Sequence, residues 1–336
     1  MSGRFAERAP RWLAPALGAA LLLGLPAPAM AQSEAPPASV AEEAVVIPFA
    51  PPLGTPVTYA LRFERKRPSG DSVIEFEQRL TFERLGSGYL MRLETLSFAS
   101  GGRRFELADK RVLDAVPPAL RIYLLPMAVE LDSSGEMVRM RDWEAMRAGL
   151  RSMPEAAAAL SGAPLDEAAL AAMQRLLDPI INASAEEGPA LMIRGWPALL
   201  GYGGGEFVLG EPVEVDTEVT GGLLPGAVPA TMQGVVTRTA EGHLRLIQTA
   251  RFDPQAMRAA TLAMIGMMRT AGAGSGRAAA GEETIESLQI TDEVEIAFDP
   301  LTGLPVNART ARVTSVVTSA GSAVGGEVLT LRRITP

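Results

Sequence analysis

The chain has 336 residues, 47% of them hydrophobic, with a formal net charge of −8, one histidine and no cysteine. It is long enough to bury one large core or two modest ones. The missing cysteine excludes disulfides and thiol chemistry, and the acidic balance argues against nucleic acid and anionic membrane surfaces as default partners.

The N-terminus reads as an export signal. Arg4, Arg8 and Arg11 make a basic region, "WLAPALGAALLLGLPAP" an apolar one, and "AMA" at Ala29–Ala31 a small-x-small cleavage site. A signal peptide over 1–31, cleaved after Ala31, is therefore expected. The apolar run is short and broken by proline, so a membrane anchor is not expected. No cysteine follows it to accept a lipid. Loss of a leader with three arginines and one glutamate moves the formal charge from −8 to −10. No later segment has eighteen uninterrupted apolar residues, so a soluble mature protein in the periplasm of a Gram-negative-type bacterium is expected.

Residues 32–54, "QSEAPPASVAEEAVVIPFAPPLG", are rich in proline, alanine and glutamate and read as a flexible lead-in. A β-rich domain is expected over 55–334. Val57, Tyr59, Leu61 and Phe63 alternate with more polar residues, the period of a half-buried strand. "SVIEFEQRLTFERL" puts Ile74, Phe76, Leu80 and Phe82 on one face, and "YLMRLETLSF" follows after a Gly-Ser-Gly turn. Three such strands predict an antiparallel meander with one apolar and one wet face. The sheet is expected to continue through "RFELADKRVLDA" and "RIYLLPMAVELD". "DSSGE" at Asp132–Glu136 reads as a hairpin turn.

The period then changes. Asp142 is placed to cap a helix starting at Trp143, and Leu170, Met173, Leu177 and Ile180 recur at three and four residues. A helical insert over about 142–182 is expected. Strands resume with "GEFVLGEPVEVDTEV", "ATMQGVVTRT", "GHLRLIQTARF", "ESLQITDEVEIAFD", "ARTARVTSVVTS" and "GEVLTLRRI". One helix, about 254–271, interrupts them. Leu-Gly-x-Pro-Val occurs at Leu53 and again at Leu209, an internal echo that fits two related halves meeting near 200. The expected fold is α+β and mainly β: a large curved antiparallel sheet, half-barrel-like, with helical insertions on one face.

Chemistry-bearing motifs are few. His243 follows a Glu-Gly turn, and no G-x-S-x-G nucleophile elbow exists to pair with it. One histidine and no cysteine leave no zinc site. "DSSGE" and "FDPLTG" lack the alternating acids of a calcium loop. "GYGGGEF" has no Gly-Lys-Ser/Thr and precedes a strand, so it is not a phosphate loop. No cofactor, metal or catalytic residue is expected.

"MRAATLAMIGMMRT" at Met257–Thr270 stands out for its four methionines. At 100° per residue, Met257, Met264 and Met268 fall within about 40° of one another. Thioethers there can fill a core, line an adaptable apolar pocket or hold Cu(I). The candidate binding residues are Met257, Met264 and Met268 on one wall, with Leu170, Met173 and Leu177 on another.

The strands "VTYALRF", "VIEFEQRLTF" and "YLMRLETLSF", with the helices around Leu170 and Met264, resemble the lipoprotein-carrier type of half-barrel of bacterial envelopes, as an architecture over roughly residues 55–334. A further reading is membership of another exported β-rich family. The resemblance implies acyl chains held between sheet and helices. The expected function is therefore non-enzymatic binding of an apolar ligand, a lipid or an acylated protein. The alternatives are a periplasmic hydrolase using carboxylates, and a scaffold or assembly partner.

Overall fold

The computed structural model describes residues 43–66, 70–115, 124–153, 177–178, 180–193, 195–219, 227–272, 285–319 and 321–334, together with Arg121, Glu167 and Gln174. The fold is mainly β. Its strands are β1 (Ala44–Val46), β2 (Val57–Lys66), β3 (Ser72–Leu85), β4 (Gly88–Ser100), β5 (Arg103–Glu106), β6 (Met127–Leu131), β7 (Met137–Met140), β8 (Glu206–Val208), β9 (Val213–Val219), β10 (Val228–Arg238), β11 (Leu244–Phe252), β12 (Ile285–Phe298), β13 (Pro305–Thr318) and β14 (Gly321–Ile334). The helices are α1 (Lys110–Ala115), α2 (Trp143–Arg151), α3 (Gly188–Met192) and α4 (Pro254–Gly272), with a 3-10 turn at Trp196–Ala198.

One antiparallel sheet runs β7-β6-β4-β3-β2-β14-β13-β12-β11-β10-β9, with β5 on β4, and it does not close into a barrel. The meander of β2, β3 and β4 follows the predicted alternation. Leu61 lies opposite Phe76, Phe63 opposite Ile74, and Val57 opposite Leu80. β14 pairs with β2, so the last and first strands of the large sheet meet in its middle and the regions before and after residue 200 share one sheet. They share a core too, since Val236, Leu246 and Ile296 join the cluster of Tyr59, Phe82 and Met91.

Register fixes which face is apolar. Leu246, Ile296, Ala308, Leu331, Leu61 and Phe76 are successive cross-strand partners, and so share one face. The opposite face is charged and wet: Glu295, Arg309, Arg62 and Glu75 lie on it, and Arg62 bonds Glu75 at 2.7 Å. Such exposed pairs contribute little stability each, but they keep that face in water.

Turn chemistry follows the sequence at Asp132. Its carboxylate accepts N–H bonds from Ser134 at 2.8 Å and Glu136 at 3.0 Å, and Gly135 takes φ 87°. Five expectations need correction. "RFELADKRVLDA" is strand only to Glu106. Asp109 then accepts the Arg111 N–H at 3.0 Å and starts α1, because a side chain that satisfies a first-turn donor favours helix. Among the described residues of "RIYLLPMAVELD", strand is confined to β6, which starts after Pro126, a residue with no N–H to give. "GEFVLGEPVEVDTEV" breaks into β8 and β9 at Gly210-Glu211-Pro212, where Gly210 has φ 78°. Asp142 stands at the start of α2, but its side chain makes no cap bond.

The fifth, the expected flexible lead-in, is the largest departure. From Glu43 on it is fixed in the fold. β1 pairs β8, and Ile47 is fully buried. The Ala50 N–H donates to the Thr302 carbonyl at 3.0 Å, and the Tyr89 hydroxyl donates to the Phe49 carbonyl at 3.1 Å. The segment passes through notches left by missing side chains. A Cβ on Gly203 or Gly135 would meet Phe49, and one on Gly303, at φ 67°, would run into the Pro48 carbonyl. Composition suggests a free linker, but the buried Ile47 and Phe49 turn it into a strap.

Candidate functional site

The apolar face carries two clusters, separated along the strands. The larger spans β2, β3, β4, β6, β7 and the near ends of β10–β14. It also takes in Trp143, Met146 and Leu150 of α2, and Trp196. Trp196 is fully buried, stands edge-on to Tyr59 at 4.9 Å between ring centres, and donates its indole N–H to Gln78 at 2.8 Å. The smaller cluster joins Met257 and Ala260 of α4 to Val228, Ala230, Phe252, Ile285, Leu288, Ile290 and Val316. Leu288 and Ile290 precede Ile296 on β12 at even spacing, so both clusters lie on the same face.

α4 begins where the sequence placed it. Pro254 opens the helix, and the Asp253 carboxylate accepts the Ala256 N–H at 2.7 Å. This cap has a plain sequence signature, Asp-Pro, that the periodicity reading did not use. Met257 is completely buried. Thr261, one turn on, is 1% exposed, and its hydroxyl has no partner among the described residues. A buried unpartnered hydroxyl is costly, and it marks the inner side of α4 as a place where a polar atom is wanted.

Of the predicted residues, Met257 is placed inward, in the smaller cluster, and Leu177 is buried. Met264 and Met268 lie on α4, with side chains outside the described residues. Leu170 and Met173 lie outside the described residues altogether. The two expected walls are therefore not brought together in what is described. His243 sits half-buried at the β10–β11 turn, its N–H on the Thr239 hydroxyl at 3.3 Å.

Sequence reading missed a charged row between the clusters. Asp292 on β12, Arg312 on β13, Glu327 on β14 and Arg65 on β2 are successive cross-strand partners on the apolar face. Arg312 binds Asp292 through two nitrogens, Nε at 2.6 Å and Nη2, and Arg65 pairs with Glu327. The side chains of Arg312 and Asp292 are 9% and 15% exposed, those of Arg65 and Glu327 22% and 32%. Ile290 and Val294 flank Asp292 on β12 and belong to the two different clusters, as member or packed neighbour. Such a row is hard to find by pattern, because each member is a lone charge within its own strand.

Among the described residues, no group of three or more His, Cys, Asp or Glu side chains is placed to hold a metal, and no helix is long and apolar enough to cross a membrane. Four carboxyls are held below their usual range by hydrogen bonds: Asp109 by Arg111, Glu130 by Arg141, Glu186 by its own backbone N–H and Glu241 by Thr239. Burial would raise Asp299, but the Leu301 N–H and Arg333 outweigh it and the net shift is again down. Burial pushes the Tyr59 phenol up to about 12 despite nearby Arg333, and raises Tyr202 as well. No protein-family model matches this chain, and the comparison with curated proteins gave no match.

Proposed function

We propose that this is an exported, non-enzymatic protein of the bacterial envelope that holds an apolar ligand, a lipid or an acylated partner, between the sheet and its helices, in the manner of a half-barrel carrier. The observation that carries the reading is the sidedness of the sheet: both apolar clusters lie on one face, and α4 packs part of its length on that face through Met257 and Ala260. In this reading Met257, Met264 and Met268 form one wall and Leu170, Met173 and Leu177 the other. Methionine suits the task, because its flexible thioether adapts to varied apolar shapes. Each methylene taken from water contributes about 0.8 kcal/mol, so an acyl chain binds without a charged contact. The unpartnered Thr261 hydroxyl fits a ligand oxygen at the same place.

The hydrolase alternative draws less support. A general acid needs a carboxyl held protonated, and among the described residues the carboxyls with a resolved shift all move the other way. The scaffold alternative would be favoured by one broad bare patch, whereas the exposed large apolar residues, such as Leu125, Val138, Leu262 and Leu301, sit on separate elements. Native mass spectrometry of the protein isolated from its own envelope tests the proposal. The expected result is a chain lacking residues 1–31 with a co-purifying lipid mass. A ligand-free spectrum under conditions that retain lipid on a known carrier would overturn the binding reading.

A further inference from the structure

We infer that the charged row across the apolar face is a recognition site for a zwitterionic head group, one that carries a phosphate and an ammonium, with the phosphate at Arg65 and the ammonium at Glu327. The inference rests on the lipid-binding reading above and names the lipid class. The row alternates in sign across four adjacent strands: Asp292, Arg312, Glu327, Arg65. Its inner pair is closed off by the bidentate Arg312–Asp292 bond and deep burial, while its outer pair is roughly a quarter to a third exposed. The outer pair is thus the part that a ligand can reach.

Charge arithmetic selects the head group. The row has no net charge. A simple anion that took Arg65 would strip Glu327 of its ion-pair partner and leave it facing only Arg312, which already holds Asp292, so a partly buried carboxylate would be under-compensated. A zwitterion replaces one ion pair with two and leaves no member alone. Glu327 and Arg65 are cross-strand partners on neighbouring strands, and their charged groups meet in an ion pair. A phosphoethanolamine head carries its ammonium and phosphate two carbons apart, close enough for one head to meet both groups. The surroundings supply the rest of the amphiphile's needs. Phe63 lies two residues from Arg65 on β2, edge-on to Phe76 at 5.7 Å; the larger apolar cluster adjoins the row along β2 and β14, and the smaller one adjoins its other side on β12 and β13.

Short-chain phosphatidylethanolamine and phosphatidylglycerol of equal chain length, titrated into the full mature protein by calorimetry, test the inference. The ethanolamine lipid is expected to bind roughly fivefold more tightly, the size of one partly exposed ion pair. In Arg65→Gln/Glu327→Gln, which stays neutral, the preference is expected to vanish while both lipids still bind. Glu327→Gln alone, which removes the ammonium contact together with the ion-pair partner of Arg65, serves if the double variant does not fold, and the preference is again expected to vanish. Equal binding of the two lipids to the unaltered protein, or a preference that survives the substitutions, overturns the head-group site and leaves apolar binding standing. If neither lipid binds, both readings fall. Free phosphoethanolamine is expected to compete poorly, since it buries no chain; strong competition would point to a soluble phosphoester as the ligand and would overturn the lipid assignment.

Discussion

The two apolar clusters share one face of one sheet, yet they are built differently. The larger is rich in rings: Trp196 against Tyr59, Phe49 edge-on to both Phe82 and Tyr89, Tyr202 tilted on Phe298. It is closed by the strap that threads Gly135, Gly203 and Gly303. The smaller has one ring, Phe252, with aliphatic side chains and the inner side of α4 above it. Rings with polar tips lock into fixed partners, as Trp196 does with Gln78 and Tyr89 with the Phe49 carbonyl. Aliphatic chains impose no such directions, and methionine, present in both clusters, does not separate them. The difference teaches that one end of the face is fixed by directional ring contacts and the other by undirected aliphatic packing.

The sharpest way to break this comparison is Trp196→Ala. It empties a fully buried ring site and orphans the Gln78 carbonyl, so a loss of about 3 to 5 kcal/mol is expected in urea unfolding. A loss under about 1 kcal/mol would show that the ring cluster is not the rigid end. Next in size is Gly303→Ala. Its φ of 67° disfavours a side chain, and the new Cβ would strike the Pro48 carbonyl. A cost of about 2 to 4 kcal/mol is expected, with protease cleavage appearing around residues 43–54 as the strap lifts. Unchanged stability and protection would deny the strap its closing role.

Met257 sharpens the other half. If its surroundings are plain core, Met257→Ala leaves a cavity and costs at least about 2 kcal/mol. If it lines a pocket, space is already present and the cost falls below that, while lipid binding weakens. Met257→Leu keeps the volume and is expected to cost under about 1.5 kcal/mol either way. A Cu(I) site would respond in the opposite pattern, with Leu abolishing copper binding at unchanged stability, and that result would overturn the apolar reading.

Alkali probes the rigid cluster through Tyr59. Its phenol titrates near 10.0 when exposed and at about 12 in the fold, chiefly because burial opposes the charged form. The folded state therefore holds a proton that the unfolded state gives up. The stabilisation is complete below pH 10 and is lost as pH rises toward 12, on the order of 2 kcal/mol. Tyr59→Phe is expected to flatten that part of the stability–pH curve. If Tyr59→Phe leaves the alkaline slope as it is, the phenol is not sealed in the cluster.

Much of the sheet is legible in the sequence, because strands with one wet face alternate. β2, β3 and β4 can be read residue by residue from Val57, Ile74 and Tyr89 onward. α4 is legible from its period, and the Asp132 turn from its chemistry. What stays hidden depends on residues far apart in the chain. The strap looks like linker because proline and alanine dominate it; only the notches at Gly135, Gly203 and Gly303 reveal what Ile47 and Phe49 do. The charged row is invisible for the same reason. Arg65, Asp292, Arg312 and Glu327 are ordinary lone charges in their own strands, and only the successive pairing of β12, β13, β14 and β2 lines them up. Met257 was legible as inward-facing, but whether that inward side is core or pocket is a question of volume, which no periodicity carries.

The smallest expected effect belongs to His243, the only imidazole in the chain. It sits beside the rigid cluster, one residue before Leu244, so a structural or catalytic role would show there first. Its backbone is already held by the turn: the N–H donates to the Thr239 hydroxyl, and the carbonyl accepts the Thr239 N–H at 2.9 Å. Neither bond involves the ring, and His243→Ala keeps both. The change should therefore stay within about 0.5 kcal/mol in stability, as for a surface substitution away from any special feature. Lipid retention should be unaltered, because the proposed ligand lies against α4 and the charged row, not against this turn. Loss of a measurable reaction in a folded His243→Ala protein would restore the enzyme alternative and remove the premise that the apolar face is the working part of the molecule.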